Sequence, residues 1–254
     1  MISIEHLNKT FQTARGAAHP ALVDIDLQIP AGQFVSILGP SGCGKSTLLY
    51  IVGGFEQPTD GAVKVDDKLI TQPGPDRGPV FQEYALFPWK TVLGNVAYGL
   101  REQGVPKAQA QARALSWLEK VKLEKYAGFY PRELSGGMRQ RAAIARTLAY
   151  EPAILLMDEP FGALDAHTRL VLQAELLSLW EQLRNTVLFV THAVDEAVYL
   201  SDRVVVLTGS PGSVREVIDI DLPRPRVRAE LLLNRDYQNY VVHLENLLTE
   251  KEQV

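Results

Sequence analysis

One cysteine, Cys43, stands among 254 residues, which excludes an internal disulfide and a cysteine-based metal cluster. Long hydrophobic runs are missing too: no apolar stretch approaches the roughly 18 residues that would cross a bilayer. Positive charge is not in excess. The formal net charge of −4 lacks the basic footprint of a nucleic-acid binder, although a local patch could still hide in that total. The start, Met1-Ile2-Ser3-Ile4-Glu5, has neither the basic opening nor the apolar core of a signal peptide, so the chain is expected in the cytosol unless a partner holds it at a membrane. Internal repeats and low-complexity tracts are absent, and His6, His19, His167 and His243 are scattered without ligand spacing. The hydrophobic fraction, 46%, argues against wholesale disorder, and the length suits one large domain or one domain carrying an inserted subdomain.

What is present is organised around Gly39-Pro40-Ser41-Gly42-Cys43-Gly44-Lys45-Ser46-Thr47, which fits the phosphate-binding pattern G-x-x-x-x-G-K-[ST]. The apolar run Phe34–Leu38 before it reads as a buried strand. Ser46–Val52 after it reads as a helix that Gly53-Gly54 stops. Strand, glycine loop and helix is the context the motif needs. Glycines let several backbone N–H groups point at one anion, and the helix start adds unpaired donors and the positive end of its dipole. Lys45 is expected on the terminal phosphates, the Ser46 hydroxyl on Mg²⁺ and Thr47 near the α-phosphate. Cys43 fits the tight loop as a small residue, so thiol alkylation is expected to block activity and bound nucleotide to protect.

Around this loop the first third is β-rich. Ile2 and Ile4 suggest an opening strand, and a polar loop is expected from after Phe11 to Pro20. Val23, Ile25, Leu27 and Ile29 alternate as a half-buried strand, and Ala62–Val65 forms another. Asn8-Lys9-Thr10 superficially matches a guanine-reading motif but precedes the phosphate loop, the wrong place for that role. A helical block follows: Val92, Val96 and Leu100 after a Thr91 cap; Ala110, Ala114, Trp117, Leu118 and Val121 with Pro106 in the first turn; and Ser135 to about Tyr150. Strand and helix then alternate through Ile154–Met157, a helix striped by Leu172, Leu176, Leu179, Trp180 and Leu183, Thr186–Thr191, Ala193–Leu200 and Val204–Leu207. Such alternation indicates a mainly parallel, helix-covered sheet. Pro211-Gly212 reads as a turn, Pro223-Arg224-Pro225-Arg226 as the end of the compact unit, and Tyr237–Leu248 as a last amphipathic helix.

Two further stretches carry chemistry. Asp158-Glu159 follows four apolar residues, at the carboxyl end of a strand, where open α/β sheets place ligand chemistry. Asp158 is expected to hold Mg²⁺ and Glu159 to polarise an attacking water, which with Lys45 meets the outline needs of phosphoryl transfer. Ser135-Gly136-Gly137, with Ser135 as N-cap, makes a second helix start able to grip an anion. One glycine loop with two such helix starts is resolved most simply if each grips the same nucleotide from opposite sides of a dimer.

With these residues in view, nearly the whole chain resembles the nucleotide-binding subunit of an ATP-binding-cassette (ABC) transporter. Gly39–Thr47 is similar to Walker A, and Leu134-Ser135-Gly136-Gly137-Met138 to the LSGGQ signature with Met138 in place of glutamine. Leu155–Glu159 resembles Walker B with its glutamate, and Ala163-Leu164-Asp165 the D-loop. Gln82 matches the Q-loop glutamine, His192 the switch histidine and Phe11 the adenine-stacking aromatic. The resemblance implies an α/β P-loop NTPase ABC nucleotide-binding domain: a RecA-like mixed sheet core, an antiparallel β subdomain and an inserted α-helical subdomain. The ATPase domain would span residues 1–222, the helical insertion about 91–150, and a helical tail 223–254. It further implies a homodimer closing head to tail on two MgATP, with His192 on the γ-phosphate, Gln82 sensing metal and nucleotide, and Asp165 among the nucleotide-binding residues.

The aromatic stretch Glu83–Trp89 lies where the family docks its membrane permease, with Leu86 and Phe87 expected partly buried and Glu83 and Trp89 nearer the partner. Because the chain carries no apolar span, the permease would be a separate subunit, an arrangement that resembles bacterial importers. The chain would then sit on the cytoplasmic face of the inner or plasma membrane, with a periplasmic or extracellular solute-binding protein contributing indirectly. The phrases Pro73–Gly78, Leu86–Trp89, Ser210–Val214 and Pro223–Arg226 look most like the nitrate, sulfonate and taurine class. Rival readings are a non-transport cassette ATPase acting on nucleic acid or the ribosome, and a regulatory module that holds ATP without turnover. The first lacks a visible coiled coil, zinc hook or second cassette; the intact Asp158-Glu159 opposes the second.

Overall fold

The computed structural model describes residues 1–12 and 17–249. Residues 13–16, inside the expected polar loop, and 250–254, at the end of the expected tail, lie outside the described residues. Two compact units emerge, one from Met1–Gly74 with Arg184–Val254 and one from Pro75–Leu183.

The first unit opens with β1 (Ile2–Gln12), β2 (Ala18–Ile29), β3 (Phe34–Leu38), α1 (Lys45–Gly53), β4 (Asp60–Val65) and β5 (Lys68–Leu69). An antiparallel sheet runs in the order β2-β1-β4-β5. Ile2, Ile4 and Leu7 of β1 and Ile25, Leu27 and Ile29 of β2 are buried, the inward half of an alternating pattern. The expected loop to Pro20 is shorter than the composition suggests. β2 begins at Ala18 and pairs back onto β1, Gln12 opposite Ala18 and Phe11 opposite His19, because ladder hydrogen bonds need no apolar side chains. Val23 is exposed where a half-buried face was expected. The β1–β2 register shifts around it, and Asp24 takes a left-handed backbone with φ 47, so Ala21 and Leu22 point inward instead.

The second unit holds β6 (Arg77–Val80), α2 (Val92–Glu102), α3 (Lys107–Lys120), α4 (Gly136–Leu148), β7 (Ile154–Asp158) and α5 (Ala166–Leu183). β6 and β7 pair in parallel, Val80 opposite Met157. The sequence hid β6 because Gly78 and Pro79 interrupt it. α2, α3 and α4 pack on one another. The Thr91 hydroxyl caps α2 by accepting from Gly94 N–H at 3.1 Å, and Ala110, Ala114, Trp117, Leu118 and Val121 are buried as their spacing requires. Pro106 stands at the N-cap of α3, one place before the first turn. Leu172, Leu176 and Trp180 of α5 are buried, whereas Leu183, at its last turn, is exposed.

The chain returns to the first unit with β8 (Thr186–Thr191), α6 (Val194–Leu200), β9 (Arg203–Leu207), β10 (Val214–Asp219), α7 (Arg228–Leu231) and α8 (Arg235–Thr249). β3 lies between β8 and β9, parallel to both, and β10 runs antiparallel along β9. β10 was not foreseen, since its mixed polarity carries no clean period. Packing does not stop at Pro223. Arg226 is buried and donates to the carbonyls of Val198, Tyr199 and Ser201 at 3.1, 3.0 and 2.8 Å, and α8 packs on α6.

Candidate functional site

In the first unit the site is built on the carboxyl end of β3. That strand is buried along its whole length, so the loop after it starts from a fixed point. Gly44 caps α1 in the left-handed region with φ 92, and Gly42 has φ 79; neither conformation suits a side chain. A Cβ on Gly39 would sit 2.8 Å from Cys43 Sγ and 3.0 Å from the Leu207 carbonyl oxygen. Pro40, Ser41 and Gly42 are exposed, and Ser46 and Thr47 are half-buried in the first turn of α1. Lys45 is buried, and its ammonium donates to the carbonyls of Gly39 and Pro40, each at 2.9 Å. His192 leaves β8 at the same edge of the sheet, exposed. Phe11 is 37% exposed, with the Lys9 ammonium 4.7 Å from its ring centroid.

Cys43 departs from the expectation of an alkylatable thiol. It is 1% exposed, and burial pushes the thiol above its ordinary value, against the smaller opposing pull of Lys45. A residue read only as a turn proves to be part of this loop's support. A Cβ on Gly212 would lie 2.0 Å from the Cys43 carbonyl oxygen, and Gly212 exchanges backbone bonds with Ala21 and Val23 at 2.9 Å each. Its only sequence signal is the Pro-Gly pair. Leu22 also presses on the loop, 2.6 Å from where a Cβ on Gly44 would stand.

In the second unit, β6 and β7 end side by side, so Gln82 and Glu159 leave the pair at one edge. Asp158 is buried and closes β7; Glu159 is half-buried with φ 41, a conformation that costs a non-glycine residue energy and recurs at functional sites. Gly162, which sequence reasoning passed over, keeps them close: its Cβ position is 3.4 Å from Gln82 Nε2 and 3.7 Å from Glu159 Oε2. Ser135 caps α4, its hydroxyl accepting from Met138 N–H at 3.3 Å. Gly137 is buried against Thr168, where a Cβ would come within 2.6 Å of Cγ2. A Cβ on Gly136 would lie 3.3 Å from the Tyr84 hydroxyl and 3.4 Å from Leu164 Cδ2. Asp165 is exposed and accepts from Thr168 N–H at 3.0 Å, a bond that holds its carboxyl below the usual range.

α4 also grips the stretch Glu83–Trp89. Arg139 lies 5.4 Å from the Tyr84 ring centroid, and Arg146 donates to the carbonyls of Ala85 and Tyr84 at 2.5 and 3.3 Å. Leu86 and Phe87 are half-buried, while Glu83 and Trp89 are exposed, Trp89 by 71%. No helix among the described residues is long and apolar enough to cross a membrane.

Taken separately, the loop of the first unit is chemically suited to phosphate and the strand-end acids of the second to a divalent cation. Gly42 faces open space, with nothing within 4 Å of its Cβ position, and the Ser46 hydroxyl in the first unit and the Asp158 carboxylate in the second are each hard oxygen donors of the kind Mg²⁺ takes. Comparison with known proteins supports nucleotide binding. The ABC transporter family model matches residues 22–162. An uncharacterized ABC transporter ATP-binding protein of Methanocaldococcus jannaschii is 50% identical over 250 residues, 98% of this chain and 92% of that protein. The bicarbonate transport ATP-binding protein CmpC of Synechococcus elongatus is 46% identical across 100% of this chain, which spans 39% of it. The aliphatic sulfonates import ATP-binding protein SsuB of Bacillus cereus is 45% identical over 89% of this chain and 88% of its own. Among solved structures, a dimeric bacterial ABC transporter cassette superposes with a TM-score of 0.78 at 36% identity, covering 88% of this chain and 100% of that one. A post-hydrolysis cassette bound to ADP and phosphate gives 0.77 at 34%, over the same shares. The chain belongs to the ABC transporter family, as a nucleotide-binding, ATP-hydrolysing cassette whose hydrolysis is coupled to transport.

Proposed function

We propose that the chain powers an importer: two copies close head to tail on two MgATP and drive a separate membrane permease on whose cytoplasmic side they sit. The observation that carries this is the Gly39–Thr47 loop on β3 with His192 at the same sheet edge, in a chain that also caps α4 with Ser135-Gly136-Gly137. In the closed pair each nucleotide lies between that loop of one copy and Ser135 of the other. Phe11 stacks on the adenine.

Lys45 exchanges its loop carbonyls for the terminal phosphates, and His192 touches the γ-phosphate. Ser46, Asp158 and Gln82 would hold the cation, which would supply neutralisation of the phosphate charge. Glu159 accepts a proton from water as the water oxygen bonds to the γ-phosphorus and the bond to ADP breaks; ADP and inorganic phosphate leave. Asp165, anionic at neutral pH, belongs to the nucleotide-binding set. Glu83–Trp89 docks the permease, and Arg146 ties that stretch to the helix that Ser135 begins, which links docking to closure.

The solute is a small one of the sulfonate, taurine, nitrate or bicarbonate kind. The names of two relatives support this, and so do the sequence phrases after Gln72. A solute-binding protein would deliver it to the permease. The test pairs enzymology with partners. Glu159→Gln should bind MgATP and dimerise but turn over about 10²–10⁴-fold more slowly. The native chain should co-purify with a two-permease membrane complex. Wild-type turnover by Glu159→Gln would remove the assigned base, and ATPase stimulated by nucleic acid, with no permease, would favour a non-transport role.

A further inference from the structure

His192 sits on a very short piece of structure. Thr191, the last residue of β8, is buried; its hydroxyl donates to the carboxylate of Glu196 and accepts from Ala193 N–H at 3.0 Å. The residues flanking His192 are thereby locked to the first turn of α6. That helix is only seven residues long, too short to hold itself, so its placement depends on what it packs against. β3 and β8 form one side of that packing. The C-terminal segment forms the other.

Two contacts from that segment meet at one residue, Asp195. Asp195 lies three places after His192. Arg228 of α7 donates to the Asp195 carboxylate at 2.7 Å, and the Tyr237 hydroxyl of α8 donates to the Asp195 backbone carbonyl at 3.4 Å. Tyr237 is buried, and the Arg228 guanidinium rests 4.8 Å from the Tyr199 ring centroid. At the far end of α6, Arg226 supplies positive charge to the buried carbonyls of Val198, Tyr199 and Ser201, where the helix dipole is negative. The segment from Arg226 to Tyr237 thus holds both ends of the helix that follows His192.

We propose that Arg228 and Tyr237 are positioning residues for His192: by fixing Asp195 they set where the turn carrying the histidine stands, and through it the rate of hydrolysis. This rests on the role given to His192 above. The C-terminal segment is then a part of the hydrolytic machinery that acts at one remove, and anything that pulls it off α6 slows turnover without touching the phosphate loop. Because Asp195 is half solvent-exposed, each contact is modest, and the effect of losing one is about two- to fivefold on kcat.

The test uses steady-state ATPase of the full chain. Arg228→Ala and Tyr237→Phe, the latter removing only a hydroxyl, should lower kcat by that factor and leave KM for ATP and the melting temperature nearly unchanged. Arg228→Lys should restore part of the loss. Each substitution should then be made in a His192→Ala background, where it should change nothing further. If the tail variants slow the His192→Ala enzyme by the same factor as wild type, if they raise KM with kcat intact, or if they have no effect, the proposal is overturned while the role of His192 stands. If His192→Ala itself turns over at the wild-type rate, the role of His192 falls first, and the route through it falls with that.

Discussion

Leu38 and Thr191 stand opposite each other in the parallel pairing of β3 and β8, so the phosphate loop beginning at Gly39 and the side chain of His192 leave the sheet at one edge. Two segments more than 150 residues apart in sequence are brought together by a five-residue register. With His192 assigned to the γ-phosphate, His192→Ala should leave ATP affinity within about threefold and lower kcat about 10²-fold or more. Nucleotide binding by fluorescence and phosphate release in single turnover separate the two effects.

Gly212 supports the phosphate loop from outside the motif. Gly212→Ala places a methyl group against the Cys43 carbonyl, whereas Gly209→Ala meets nothing within 4 Å. The first should weaken ATP binding by about tenfold or more, in line with the cost of overpacking, and the second should be neutral. Titration of the two variants with nucleotide checks this, with the melting temperature read alongside.

The Cys43 thiol should resist modification. Its burial and raised pKa both lower the accessible thiolate, so a disulfide reagent should react about 10²-fold more slowly with native protein than with denaturant-unfolded protein at the same pH. Stopped-flow absorbance measures both rates. Comparable rates would mean that the loop opens freely.

Tyr150 gives a pH signature of the second unit. Burial pushes its phenol up to about 12 from the ordinary 10.0, so the unfolded chain loses that proton first as pH rises. The stability contributed by the neutral phenol is present below about pH 10 and is lost as pH climbs toward 12. Tyr150→Phe should flatten that fall by on the order of 1 kcal/mol, allowing for the partial exposure of the ring. Denaturant midpoints at about pH 9 and about pH 11 for both proteins provide the comparison.

The phosphate loop, the Asp158-Glu159 strand end and the Ser135 cap were legible because each couples a local motif to a period that the neighbouring residues keep. β3 and β7 read as apolar runs for the same reason. β6 and β10 were not legible: Gly78 and Pro79 break one, and the mixed polarity of the other follows no face. The support given by Gly212 and Gly162 was hidden because a glycine's need for space depends on what arrives from elsewhere in the chain. The packing of the C-terminal segment on α6 was not legible at Pro223 for a related reason. Two prolines signal a boundary, but the buried side chain just beyond them, Arg226, finds its carbonyl partners only in the folded unit.

Everything proposed about catalysis depends on a nucleotide shared between two copies of this chain. The most direct measurement is a structure of the Glu159→Gln protein trapped with MgATP. The account predicts a two-fold pair in which the Ser135 hydroxyl of one copy lies within hydrogen-bonding distance of the triphosphate held by Gly39–Thr47 of the other. A monomer, or a pair in which Ser135 stands remote from any triphosphate, would contradict it.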